Sequence, residues 1–521
     1  MLRRVTVENG VVEGLPAADP RITAFKGIPF AAPPVGDLRW RPPQPAKNWD
    51  GVLKAYTFGP IAMQATPGLD PDNIYTKEWH VDPNVPMSED CLQLNVWTPA
   101  KSPDEKLPVM VWIFGGGLNV GYPSEMEFDG ERIARRGVIL VSVNYRLNVF
   151  GFLAHPEITA ENPGMSTNFG HWDQRFAIEW VKRNISAFGG DPENITIFGQ
   201  SAGGGSTMVH VASPLNKGLF QRAIVHSGGG LLPPSLNSPS LAEAEKIGEE
   251  FFKFLGVKSL KEARALDARF ILEKGLEFAS THYRWGTVID GTLVPDYPSY
   301  IFTEGKGNPV DLIIGHTEDE FIVRPNAKTI EELEQYARSK FGEDADRYLA
   351  ICRQGADNIE QMNKNGTYNR FEIGDLLWAD VNAKLKTSRM YYYCFDPEIP
   401  GPDDPGAFHS SDLWFAFETL AKCWRPFVGK HYDLARHMCN YWTNFARSGD
   451  PNGNDADGTP MPEWTQYTEE QPYPILFADK AEMDRRPLSE LKKFLVEFYL
   501  KKLQKREMNN MEPLLPSRGR L

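Results

Sequence analysis

The feature that most constrains this chain is a series of short, unbroken apolar runs, each closed by a glycine or a loop. They read "VMVWIFG" (109–115), "VILVSVNY" (138–145), "ITIFG" (195–199), "RAIVHSG" (222–228), "DLIIG" (311–315) and "MYYYCF" (390–395). A strand apolar at every position is covered on both faces, which is the condition of a central strand in a parallel sheet. Helical patterns lie between the runs, at 172–186 and 241–255. Strands alternating with helices predict an α/β fold with a large, mostly parallel central sheet, helices on both faces and right-handed crossovers. Two charged, helix-rich stretches, approximately 233–283 and 329–386, read as insertions able to cap the ligand end of the sheet. No internal repeat divides the chain, so 1–505 reads as one domain and 506–521 as a loose tail. The stretch 488–504 reads as an amphipathic, basic, solvated terminal helix.

Composition removes several function classes. With 521 residues, 41% of them hydrophobic, the chain can bury a large core. A net charge of −13 lacks the basic footprint of a nucleic-acid binder. No apolar run approaches the ~18 residues of a membrane span, so no stable membrane association is expected. The opening "MLRRVTVENGVVEG" has no apolar stretch behind its arginines. The 5 cysteines are odd in number and lack metal-like spacing. Together these predict a reduced, cytoplasmic setting, or secretion only if a signal has been removed.

The chemistry concentrates in "TIFGQSAGGGS" (196–206), where Gly199-Gln200-Ser201-Ala202-Gly203 follows a strand and precedes a helical pattern. Glycines two before and two after a serine let the backbone make a sharp strand-to-helix turn that exposes the hydroxyl. A serine hydroxyl is a weak nucleophile until a base removes its proton, and in this architecture the order is serine, acid, histidine. Beyond the acidic cluster after the 311–315 strand lie His409, His431 and His437. The last two fall in a helical pattern. His409 follows a loop leaving the 390–395 strand, where a rigid sheet presents side chains, and is the candidate base. "GHTEDE" offers Glu318, Asp319 and Glu320 as the orienting acid, and the residues alone leave all three open.

An oxyanion needs backbone N–H groups, and "VWIFGGGLNVG" runs a strand into Gly115, Gly116 and Gly117. Cofactor and metal motifs fail. A dinucleotide fingerprint would need glycine at Val120, and no phosphate loop is present. His316, Glu318 and Glu320 alternate, but a metal reading is the minor one. "DPNGND" (450–455) starts like a calcium loop yet has Asp455 and Met461 where glycine and glutamate belong, so it reads as a turn. Neither cofactor nor metal is expected.

Seven stretches together resemble the type-B carboxylesterase/lipase family, which includes the cholinesterases. They are "FKGIPFAAPPVGDLRWRPP", "SEDCLQLNVWTP", "VWIFGGGLNVG", "VNYRLNVFGFL", "NFGHWDQRFAIEWV", "FGGDPENITIFGQSAGG" and "GAFHSSDLWFAF". The resemblance spans about 5 to 500 and implies an α/β-hydrolase fold and hydrolysis of carboxylic esters. It places the nucleophile at Ser201, the acid at Glu320 and the base at His409. The oxyanion donors fall on the backbones of Gly116, Gly117 and Ala202, and Ser227 matches a serine that supports the acid. Arg39 with Glu89, and Arg146 with Asp173, are implied as structural ion pairs.

Two departures stand out. Ala62 occupies the position of a cysteine that would bridge to Cys91, so the 62–87 loop is expected to be held by packing alone. Leu118 stands where many members carry an aromatic. Leu118, Tyr122, Trp285, Phe321, Trp414 and Phe415 are candidate pocket residues that could equally be core. The expected partner is a small-molecule ester, and oligomeric state is left open. The reading is a serine carboxylesterase. Its rivals are a lipase acting on interfacial acylglycerols, a feruloyl- or aryl-ester-preferring esterase, and a non-catalytic binding module.

Overall fold

A computed structural model describes residues 1–79, 81–233 and 238–507. Residues 508–521, nearly all of the stretch read as a tail, lie outside these. The chain builds one eleven-stranded sheet. In chain order its strands are β1 (Leu15–Pro16), β2 (Thr23–Pro29), β3 (Gln93–Thr98), β4 (Leu107–Ile113), β5 (Ile139–Val143) and β6 (Gly190–Gln200). They continue as β7 (Arg222–His226), β8 (Asp311–Thr317), β9 (Met390–Phe395), β10 (Ile475–Phe477) and β11 (Ala481–Met483). The spatial order is β11-β10-β9-β8-β7-β6-β4-β5-β3-β2-β1. From β5 to β10 every neighbouring pair is parallel. Antiparallel strands close both edges. A mostly parallel sheet follows from the unbroken apolar runs, since nearly every residue of β4, β5 and β9 is buried.

The register lines up the strand ends. Ile113 pairs with Gly199, Gly199 with Val225, Val225 with Ile314, and Ile314 with Tyr392. Just beyond this row the chain places Gly115–Gly117, Ser201, Ser227 and the Glu318–Glu320 turn side by side. Ligands of open α/β sheets bind outside these carboxyl ends.

The helical stretches form Leu241–Leu255, Leu260–Arg264 and Ala268–Thr281, then Ile330–Phe341, Ala345–Arg353, Ile359–Asn365 and Arg370–Leu385. The last is no cap. It packs on β8 and β9 as part of a covering layer, with most of its residues buried. The terminal helix Glu490–Gln504 is likewise not simply solvated: Leu491, Phe494, Leu495, Phe498 and Tyr499 are buried, and Phe494 and Phe498 pack on Phe341. Lys492 reaches inward to pair with the buried Glu372, while Lys493 and Lys501 stay on the exposed face. Among the described residues no helix is long and apolar enough to cross a membrane.

The 62–87 loop is held by more than packing. Ile61 N–H donates to Pro86 O at 2.8 Å and Ser88 N–H to Ile61 O at 3.0 Å, closing its base. The Gln64 side chain bonds both the carbonyl and the N–H of Gly121, at 3.0 and 2.9 Å, and Asn148 Nδ2 donates to Met63 O at 2.7 Å. All five cysteines are free thiols.

Candidate active site

Ser201 sits between β6 and the helix Ala202–Ala212 with φ +57° and ψ −125°, a left-handed geometry unusual for a side-chain-bearing residue. Two bonds hold it there: its N–H donates to His226 O at 3.0 Å, and its carbonyl accepts from Gly205 N–H at 2.9 Å. The flanking glycines are needed for contact. A Cβ on Gly199 would strike Gly203's carbonyl, and one on Gly203 would strike those of Ile113 and Phe114. The glycine-rich helix therefore forms because its missing side chains let it seat on neighbouring strand ends, which offsets a propensity loss of about 1 kcal/mol per glycine.

His409 Nε2 lies 2.8 Å from Ser201 Oγ, and its Nδ1 bonds Glu320 Oε2. The other Glu320 oxygen accepts from Thr317 N–H at 3.0 Å, and the carboxylate is buried. The neighbouring acids point elsewhere. Glu318 accepts from Cys394 Sγ at 3.3 Å, and Asp319 accepts from Ala407 N–H at 2.8 Å. Of the three acids left open by the sequence, only Glu320 reaches the imidazole. The alternating triplet His316, Glu318, Glu320 is thereby split: His316 and Glu318 gather with Cys394 within 4.8 Å, while Glu320 faces His409.

The imidazole is confined from several sides. Phe321 presents its ring edge-on at 4.8 Å and is itself stacked on Phe371 at 4.2 Å. Gln200 Nε2 donates to Ser410 Oγ at 2.8 Å beside it. Tyr75, on the 62–87 loop, donates its hydroxyl to His409 O at 3.1 Å. Burial, then the nearby Glu320, pushes the Tyr75 phenol up, so it stays a donor.

The amides of Gly116, Gly117 and Ala202 donate to no described residue. Gly116 has φ +114°, and a Cβ there would collide with Val120 O. All three residues line one cleft of about 2570 Å³ with Ser201, Glu320 and His409. Unpaired N–H groups at a helix start and a glycine loop are equipped to receive negative charge.

A profile of the carboxylesterase family matches residues 2–494. The chain belongs to the carboxylesterase family. Bile salt-activated lipase of Bos taurus is 34% identical over 517 residues, covering 90% of this chain and 82% of that protein. Cholinesterase of Mus musculus is 32% identical, covering 92% and 84%. Fumonisin B1 esterase of Sphingopyxis macrogoltabida is 32% identical, covering 85% and 82%. Among solved structures, a PNB esterase superposes with TM-score 0.78 at 29% identity, covering 95% of this chain and 99% of its own. A Geobacillus stearothermophilus carboxylesterase gives 0.75 at 32%, covering 95% and 100%. The family and these neighbours support hydrolysis of carboxylic esters on an α/β-hydrolase fold.

In this carboxylesterase, Leu118, Tyr122, Trp285 and Phe321 line the cleft. Trp414 and Phe415 do not. Trp414 is 1% exposed and its Nε1 donates to the buried Glu78 at 3.1 Å. Phe415 packs between Phe395 and Phe427. They follow the His409 loop so closely that their helix, Leu413–Ala416, turns back into the core. Ser227 has a left-handed φ of +47° and its N–H donates to Gly315 O at 2.7 Å, but its hydroxyl bonds no described residue. Arg39 grips Glu89 through two bonds of 2.6 and 2.7 Å, and Arg146 grips Asp173 through two of 2.8 and 2.7 Å.

Sequence reasoning passed over Tyr75 and a buried pair behind the serine turn. His226 Nδ1 lies 2.8 Å from Asp412 Oδ2, and its Nε2 accepts from Trp442 at 2.8 Å. Since His226 O holds the Ser201 amide, this pair braces the turn. Asp412 stands three residues after His409 in "HSSD", the one local signal that could have drawn attention to it. Glu125 and Glu127 also line the cleft, both pushed up by burial.

Proposed function

We propose that this protein is a serine carboxylesterase working through Ser201, His409 and Glu320. His409 Nε2 accepts the Ser201 proton as Oγ attacks the ester carbonyl, and Glu320 fixes the tautomer and balances the imidazolium. The carbonyl oxygen takes up negative charge against the N–H groups of Gly116, Gly117 and Ala202. Collapse transfers the His409 proton to the departing alcohol and leaves an acyl group on Ser201. Water, deprotonated by His409, then releases the acid.

The observation that carries this reading is the continuous chain from Ser201 Oγ through both His409 nitrogens to Glu320, built at one strand end from β6, β8 and β9. Ser201→Ala is expected to abolish hydrolysis of 4-nitrophenyl butyrate and labelling by a fluorophosphonate, with an unchanged melting temperature. Substantial residual turnover overturns the proposal. Glu320→Gln is expected to lose about 10³–10⁴ in kcat, by analogy with the buried acid of other triads.

Within ester hydrolysis, the hydrogen-bonded anchoring of the 62–87 loop supports a dissolved-ester substrate over an interfacial lipase, which needs a mobile apolar lid. A rate that saturates below the solubility limit of the ester is expected. A jump on passing that limit reverses the assignment.

A further inference from the structure

We propose that Arg284 makes this site select esters whose acyl group ends in a carboxylate. The proposal rests on the serine-esterase reading and adds a substrate class to it.

Arg284 stands in the cleft wall against the glycine loop. Its backbone is fixed through the next residue. Trp285 is buried, with Nε1 donating to Gly275 O at 3.2 Å and its ring against Phe251 and Phe278. The Asn119 side-chain amide then bridges the two segments, donating to Gly117 O at 2.6 Å and to Trp285 O at 3.0 Å. This clamp brings the guanidinium directly over Gly117: a Cβ there would strike Arg284 Nη2. Gly117 supplies one of the N–H groups assigned to the oxyanion.

Among the described residues the guanidinium has no partner: Arg284 forms no hydrogen bond or ion pair with any of them. Other arginines of the fold contrast with it: Arg39, Arg146, Arg264 and Arg425 each hold a carboxylate. Two of the cleft's acids are engaged elsewhere, Asp319 with Ala407 N–H and Asp403 with Arg425, and none of the cleft's acids pairs with Arg284 among the described residues. Burial lowers the Arg284 pKa without a carboxylate opposing it, yet a guanidinium stays charged at any working pH.

Arg284 is exposed to the cleft, where a ligand can supply the missing anion, and a planar guanidinium matches a carboxylate with two parallel bonds. An ester whose carbonyl oxygen lies on Gly116 and Gly117 has its acyl chain beside Leu118 and Trp285. A carboxylate a few carbons along that chain reaches Arg284. Half-esters of short dicarboxylic acids fit this description.

The test compares monophenyl glutarate with phenyl pentanoate, equal in acyl length and different at the terminus, by phenol release with uncatalysed hydrolysis subtracted. The wild type is expected to favour the glutarate in kcat/KM. In Arg284→Met the glutarate-to-pentanoate ratio is expected to fall about 10–100-fold, the range of a charge-assisted hydrogen bond, with Arg284→Lys intermediate. Free glutarate is expected to inhibit phenyl pentanoate hydrolysis competitively in the wild type and more weakly, by a similar factor, in Arg284→Met. A ratio unchanged by the substitution, or a parallel fall for both esters, overturns the proposal and assigns Arg284 to general stabilisation of the oxyanion or the loop. Failure of the underlying reading looks different: the wild type then turns over neither ester and Ser201 takes no fluorophosphonate.

Discussion

Tyr75 donates its hydroxyl to the main-chain carbonyl of His409, at 3.1 Å, across 334 residues of chain. The 62–87 loop is thereby tied to the backbone of His409, the proposed base, while the Tyr75 ring stacks on Trp79 at 4.9 Å within the loop. Tyr75→Phe keeps the stacking and deletes one buried hydrogen bond, worth about 1 kcal/mol. The expected outcome is a several-fold lower kcat with KM and melting temperature nearly unchanged. A change confined to KM would instead make Tyr75 a wall of the substrate site.

Gly116 and Gly205 should respond oppositely to alanine. At Gly116 the positive φ and the Val120 carbonyl exclude a Cβ, so the loop must shift and its N–H leaves the position proposed for the oxyanion. Steady-state kinetics of Gly116→Ala are expected to show kcat lower by about 10²–10³, as for loss of one oxyanion donor. Gly205 is helical with open space around it. Gly205→Ala is expected to raise the melting temperature, through about 1 kcal/mol of helix propensity.

These contrasts show which parts of the molecule could be read in the sequence. The parallel strands were legible because burial on both faces leaves an unbroken apolar run. Strands at or next to the sheet's edges, such as β2 (Thr23–Pro29) and β11 (Ala481–Met483), were not, being short or carrying Lys26, Gly27 and Glu482 on wetter faces. Ser201 and His409 were legible from their places at strand ends. Glu318, Asp319 and Glu320 have the same chemistry, and only the turn's geometry decides which one meets the imidazole. Trp414 and Phe415 failed as pocket residues because an aromatic near a site in sequence carries no record of which way its helix faces. Contacts such as Tyr75 with His409 join segments too far apart for local pattern to register.

Asp455 sits in the stretch that mimics a calcium loop, and its carboxylate is taken by protein donors. Arg436 Nε and Nη2, His437 Nε2 and Asn440 Nδ2 all bond it, at 2.8–3.2 Å. The Arg436 hydrogen bonds hold its carboxyl well below the usual range. A depressed folded-state pKa stabilises the fold above the unfolded value of about 3.9 and loses that contribution as pH falls toward the folded value. Asp455→Asn is therefore expected to melt lower than wild type at pH 7, with the gap narrowing below about pH 4. A gap constant across pH 3–7 would make the loss one of packing, not charge.

Arg146 and Asp173 pose the sharpest question about what the fold spends its buried charge on. The pair is nearly inaccessible, with side-chain exposures of 4% and 0%. Asp173 also accepts from the Arg146 N–H at 3.0 Å, so one carboxylate fixes both ends of the arginine. Burial pushes the Asp173 carboxyl up and Arg146 opposes it. The adjacent Tyr145 donates to Phe114 O at 2.6 Å, just before the glycine loop, so displacement of Arg146 reaches the amides proposed for the oxyanion through two residues. Breaking a buried pair leaves a lone charge and costs about 3–5 kcal/mol, whereas replacing both partners with apolar groups is often neutral. Arg146→Met is accordingly expected to lower the melting temperature markedly and to reduce kcat in the protein that still folds. Arg146→Met with Asp173→Leu should recover most of the stability. If the double variant regains stability but not kcat, the pair's role is to hold the glycine loop in register. If it regains both, the pair is interchangeable with packing and the loop is held by Tyr145 alone.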